Sequence, residues 1–131
     1  MRILGIDYGT KRIGVAIGDS EGKVAVPLLV IEMKNEKLKI KNAVEKIVKI
    51  VKEEDIELIV IGQGGKGSME NKVWEFVERL KKYVRVELQD EHFTTAQVER
   101  TMQNYGKERK KIDKDSAAAA LILQSFLERL E

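Results

Sequence analysis

Asp7 is the first residue that invites chemistry. It closes the short, mostly apolar run from Arg2, and Gly5 and Gly9 flank it. A carboxylate on such a strand is costly unless a positive charge compensates it, and a metal ion would do so. The competing reading is a strand-end aspartate that accepts backbone hydrogen bonds in the next turn. Two further carboxylates stand at the ends of predicted elements: Glu91 closes a strand, and Asp115 opens the last helix. Each has an ordinary explanation as well. Acidic residues in a first helical turn are favoured by the helix dipole, Asp113 serves equally well as the N-cap, and Glu91 reads as a surface residue beside Asp90. Three carboxylates on three elements nonetheless justify a metal-site hypothesis. The chain has no cysteine and one histidine, which leaves oxygen ligands and favours Mg2+ or Mn2+ over zinc.

The basic residues have their own pattern. The net charge of +2 is too mild to announce a nucleic-acid binder. From Arg100 to Lys114, however, Arg100, Lys107, Arg109, Lys110, Lys111 and Lys114 face Glu108 and Asp113, a local +4. The segment reads either as a solvated loop or as a phosphate-contacting one. The length of 131 residues suits a single domain over 1–131, and 35% charged against 43% hydrophobic residues is a globular balance. The opening MRILGID lacks a basic-then-apolar leader, and no apolar run approaches a membrane span, so a cytoplasmic protein is expected, with no membrane partner. The lysine- and glutamate-rich surface vocabulary would suit a heat-adapted host.

The elements that must position these residues follow from periodicity. Arg2 to Asp7 reads as a central strand. Ile13, Val15 and Ile17 alternate with Gly14, Ala16 and Gly18, a period of two that predicts a second strand. Val24 to Ile31 is a third, and Pro27 within it points to an edge strand or an early strand end. Short turns between the three imply an antiparallel meander. From about Glu36 to Glu54 the period becomes helical, with Ile40, Val44, Ile47, Val48 and Val51 on one face. Leu58–Ile61 is a continuous apolar run ending at Gly62, as expected of a strand buried on both faces. After a glycine-rich stretch, Ser68 would cap a helix carrying Val73, Phe76, Val77 and Leu80. Val84, Val86 and Leu88 alternate into a fifth strand. Thr94–Gln97 resembles a capping box opening a third helix, and Lys114 to Leu130 forms the last. Strands separated by helices join a sheet in parallel. The order fits a ribonuclease-H-like α/β fold, a five-stranded mixed sheet flanked by helices. The run Ser116–Ala120 is small enough to let the last helix lie close to the sheet and bring Asp115 near Asp7.

Four blocks carry a resemblance. GIDYGTKRIGVA (Gly5–Ala16), LIVIG with its glycine loop, DEHFTT (Asp90–Thr95) and DSAAAALILQSFL (Asp115–Leu127) resemble, in order, the signatures of the YqgF/RuvX family. The resemblance spans nearly the whole chain. It implies a ribonuclease-H-like fold related to Holliday-junction resolvases, in a family described as nucleases maturing the 5′ end of pre-16S ribosomal RNA, some as resolvases of branched DNA. By motif position it makes Asp7, Glu91 and Asp115 the catalytic and metal-binding centre, with Asp7 bridging Mg2+ or Mn2+, and Asp113 ranked second. Thr10, Lys11 and Arg12, with Lys107, Arg109, Lys110 and Lys111, would meet the nucleic-acid backbone. Two departures stand out: Gly64 where the family commonly has proline, and His92 where it frequently has arginine.

The expected partner is nucleic acid, RNA before branched DNA, with ribosomal precursor particles as its context and a monomer or homodimer as the working state. Branched DNA would favour a dimer with two sites. The rival readings are a junction resolvase, a non-catalytic RNA- or ribosome-precursor-binding factor, and an actin-like or sugar-kinase ATPase, which shares the D-x-G-T turn but needs two lobes. A phosphate-loop reading of Gly62–Ser68 fails, because Lys66 precedes Gly67 and no G-x-x-x-x-G-K-[ST] order occurs.

Overall fold

The computed structural model describes residues 1–34, 37–62, 70–89, 93, 95–103 and 113–130. The elements run β1 (Arg2–Tyr8), β2 (Arg12–Asp19), β3 (Val24–Glu32), α1 (Lys39–Glu53), β4 (Ile56–Gly62), α2 (Glu70–Leu80), β5 (Arg85–Gln89), α3 (Thr95–Gln103) and α4 (Lys114–Arg129). They build one sheet in the order β3-β2-β1-β4-β5. β1–β2 and β2–β3 are antiparallel, and β1–β4 and β4–β5 are parallel. The expected five-stranded mixed sheet with helical cover is therefore what the chain forms.

Side-chain alternation divides the core into two unlike layers. On one face Leu4, Ile6, Ile13, Val15, Ile59 and Ile61 meet α1 and α2 through Ile47, Phe76 and Leu80. Each large side chain buried there contributes roughly 1.5–3 kcal/mol. On the other face Ile3, Ala16, Leu58 and Val60 meet α4 through Ala119, Ala120, Ile122 and Leu123. Here the sheet supplies small residues, and a Cβ added at Gly5 would stand 2.6 Å from the Cβ of Leu123. One at Gly62 would meet the Ile122 side chain, and one at Gly18 the Leu123 and Leu127 side chains. The glycines of β1, β2 and β4 thus let α4 lie almost on the sheet backbone.

Pro27 lies in an edge strand, as its missing N–H requires. The β2–β3 register shifts beside it: Ala16 faces Pro27 and Val15 faces Leu29, so Leu28 is an extra, exposed bulge residue. α1 begins at Lys39, three residues later than Glu36, and no side chain caps it. It ends where Asp55 turns left-handed at φ 51°, the conformation that commonly closes a helix. Ser68, Thr94 and the glycine stretch after Gly62 lie outside the described residues. No helix among the described residues is long and apolar enough to cross a membrane.

Candidate active site

The ends of the central elements converge on Asp7. β1 and β4 run parallel and finish together, Asp7 opposite Gly62. β2 begins at the same end, with Gly14 opposite Asp7 and Ile13 opposite Tyr8. Asp7 shares the α4-facing side with Gly5, whereas Tyr8 turns to the other layer and packs on Phe76 with ring centroids 4.9 Å apart.

Asp115 reaches Asp7 because of two local features. Asp113 is the N-cap of α4: its carboxylate accepts the Asp115 backbone N–H at 2.7 Å, and its carbonyl accepts the Ser116 hydroxyl at 3.0 Å. This commits Asp113 to the helix end and leaves the side chain of Asp115 to face the sheet. Gly14 then removes the obstacle, since a Cβ there would fall on the Asp115 carbonyl oxygen. Gln89, at the end of β5, fixes the next turns of the helix by donating to the Ile122 carbonyl at 3.1 Å from a buried position.

The electrostatics of the pair are unbalanced. Burial, with the negative charge of Asp115 added to it, pushes the Asp7 carboxyl up to about 6. A carboxyl held up by burial and by a second carboxylate beside it calls for a cation. Arg12 supplies one on the Asp115 side, donating from Nε to Oδ2 at 2.8 Å across 103 residues of sequence. Nothing in the sequence marked this pairing; Arg12 stood out there only as a phosphate contact. Thr10, Lys11 and Arg12 form the exposed turn and strand start directly beside Asp7.

The structure therefore brings Asp7 and Asp115 together, with Lys11 and Arg12 at the mouth. Glu91, His92 and the basic run Lys107, Arg109, Lys110 and Lys111 lie outside the described residues. Among the described residues no cluster of three His, Cys, Asp or Glu side chains forms.

A mixed sheet with a carboxylate at the end of its central strand and an opposing helix-borne aspartate defines the ribonuclease-H-like class. Its solved relatives in shape are resolvases. Thermus thermophilus RuvC superposes with a TM-score of 0.68 at 16% identity, covering 97% of this chain and 94% of that one. The fowlpox virus Holliday junction resolvase gives 0.65 at 14% identity, covering 99% of this chain and 100% of that one. Sequence narrows the class: the family model described as RuvX, Holliday junction resolvase, matches residues 1–129. Proteins named "Putative pre-16S rRNA nuclease" are 42% identical in Endomicrobium trichonymphae, over 97% of this chain and 95% of the relative. In a Sulfurihydrogenibium species the identity is 40%, over 98% and 91%. The chain belongs to the RuvX family, and its fold and relatives are those of nucleases.

Proposed function

We propose that this protein is a divalent-metal-dependent nuclease that hydrolyses phosphodiester bonds in a ribosomal RNA precursor, with Asp7, Glu91 and Asp115 as its carboxylate centre. The observation that carries the reading is the partly buried Asp7 carboxyl, raised first by desolvation and then by Asp115, at the shared end of β1, β4 and α4. The donor set fits the metal: hard oxygen ligands, no thiol in the chain, and two carboxylates of which Asp115 opposes the charge of Asp7. Glu91 joins them on motif position alone. Bound Mg2+ or Mn2+ would supply charge neutralisation at the scissile phosphate and an activated water.

The chain's own residues do the rest. Asp7 and Asp115 would hold the ion at the shared strand ends. Arg12, which donates from Nε to Asp115, would offer the rest of its guanidinium to a phosphate oxygen. Lys11 adds charge at the same rim, and the basic run Lys107–Lys111 extends it. One RNA end needs only one such site, so a monomer suffices. The family's description as a resolvase supports a second reading, in which the substrate is a DNA junction and two copies act together.

The test is cleavage of a labelled pre-16S 5′ leader, unrelated single-stranded RNA, duplex DNA and a four-way junction with Mg2+ or Mn2+. Asp7→Asn is assayed alongside. Metal-dependent cutting of the leader, lost in the variant, is expected. Preferential cutting of the junction selects the resolvase reading. Cutting that survives in Asp7→Asn removes that residue from the mechanism, and RNA binding without any cutting leaves a binding factor.

A further inference from the structure

A second concentration of positive charge lies away from the carboxylates. Between Lys34 and Lys52 stand seven lysines against Glu36 and Glu45, a net of +5 in a chain whose whole is +2. Five of the seven lie on α1. α1 runs beside the open edge strand β3, and between them is a groove of about 580 Å3 walled by Val30, Glu32, Lys34, Lys39, Lys46 and Lys49. A second stretch of about 310 Å3 continues it over Leu29, Ile31 and Ile50 as far as Glu53. The groove therefore has lysines along its helical wall and an apolar floor.

Its upper end lies at the strand ends beside Lys11 and Arg12. Glu32 is opposite Arg12 in the sheet. The Met33 backbone N–H donates to the Lys11 carbonyl at 2.8 Å. Arg12 in turn holds Asp115. From Lys11 and Arg12 a continuous rim thus leads over the end of β3 to Lys34 and down α1.

We propose that this groove is a second nucleic-acid contact, which holds the RNA strand leaving the active site by its phosphates through Lys34, Lys46 and Lys49. It rests on the nuclease reading above and adds the path of the substrate. Charge complementarity and continuity with the site specify the occupant. A cleft bounded by one strand and one helix takes a single sugar-phosphate chain, and its apolar floor accepts sugar and base faces. The acidic residues, Glu32 and Glu45 on its walls and Glu53 at its far end, are all exposed. Lys34 pairs with Glu32 at 2.9 Å and Lys49 with Glu53 at 3.8 Å, with every partner more than half exposed. Such surface pairs contribute little and exchange readily for phosphate.

The experiment measures binding of a long and a short single-stranded RNA by fluorescence anisotropy across a salt series. The proteins are wild type, Lys46→Gln/Lys49→Gln, and Lys41→Gln/Lys52→Gln, which removes the same charge from the same helix outside the groove. For the long RNA, the groove variant should lose two phosphate contacts, making the log–log salt slope about 1.4 shallower. The control pair should leave the slope unchanged, and both variants should cut the short RNA as wild type does. Equal slopes for wild type and groove variant overturn the groove while cleavage stands. Equal losses in both variants reduce it to general charge and overturn it too. A slope change confined to a four-way DNA junction overturns the RNA assignment. Failure of wild type to bind or cut any RNA sinks the nuclease reading and the groove with it. Thermal unfolding verifies that both variants keep the stability of wild type, as expected of exposed lysine substitutions.

Discussion

At the scale of single residues, Asp7 is where stability is traded for chemistry. Its carboxyl titrates near 6 in the folded chain instead of at the ordinary 3.8, because burial and Asp115 both oppose its charge. Below about pH 4 the group is protonated whether the chain is folded or not, and it costs nothing. As pH rises through the window between the two values, the unfolded chain gives up the proton first, so folding loses stability. Above about 6 the full penalty applies, as much as about 3 kcal/mol for a shift of this size. Asp7→Asn should therefore stabilise the metal-free protein at pH 7 by about 1–3 kcal/mol. The gain should fade to nothing by about pH 4, as read from urea unfolding at a series of pH values. A gain that is the same at both pH values would mean that the asparagine acts by packing and not by removing a charge. Asp113 and Asp115 show what sequence leaves undecided at this scale. Both acids suit a first helical turn, and only the cap geometry, with Asp113 accepting the Asp115 N–H, assigns one to the helix and the other to the site.

At the scale of elements, the site depends on how closely α4 approaches β2. A Cβ at Gly14 would fall on the backbone of Asp115 and Ser116, which have no flexible end to move aside. Gly14→Ala should cost about 2 kcal/mol or more by overpacking and shift the first turn of α4 away from Asp7. Gly22→Ala, with nothing within 4 Å of the added carbon, should change stability by less than about 0.5 kcal/mol. Denaturant midpoints of the two variants check both values, and equal costs would refute the role given to Gly14. The strands and helices themselves were legible because their signals are local: alternation for β2, a helical apolar stripe for α1, a missing N–H for Pro27 at the edge. The meaning of the glycines was not. Gly14, Ala16 and Gly18 announced a strand by their alternation with isoleucine and valine. That they form a bed for α4 depends on a helix a hundred residues away. The start of α1 was expected too early for a related reason, since no side-chain cap marks where the helix begins.

At the scale of the molecule, the proposed carboxylate centre would make folding and ion binding one equilibrium. An ion that binds the folded chain alone stabilises it by mass action, about 2.7 kcal/mol at a hundredfold excess over its dissociation constant. Mn2+ at neutral pH should therefore raise the thermal midpoint of wild type, and a chelator should reverse the rise. Asp7→Asn and Asp115→Asn should lose it. An undiminished rise in Asp115→Asn would remove that aspartate from the ligand set. The motif positions named Asp7, Glu91 and Asp115, of which the described residues bring Asp7 and Asp115 together; the Arg12–Asp115 pair and the lysine groove were not legible. Both join segments far apart in sequence, and lysines on a helix look like ordinary solvated residues until a strand edge is seen beside them.

The contact between Arg12 and Asp115 spans 103 residues, and this has a consequence for timing. β1 and β2 leave the ribosome well before α4, which lies about a hundred residues downstream. Until α4 emerges, the growing chain has Asp7 without its opposing carboxylate. Amid ribosomal RNA, the proposed cutting centre would thus stay unfinished until α4 settles onto its bed of glycines.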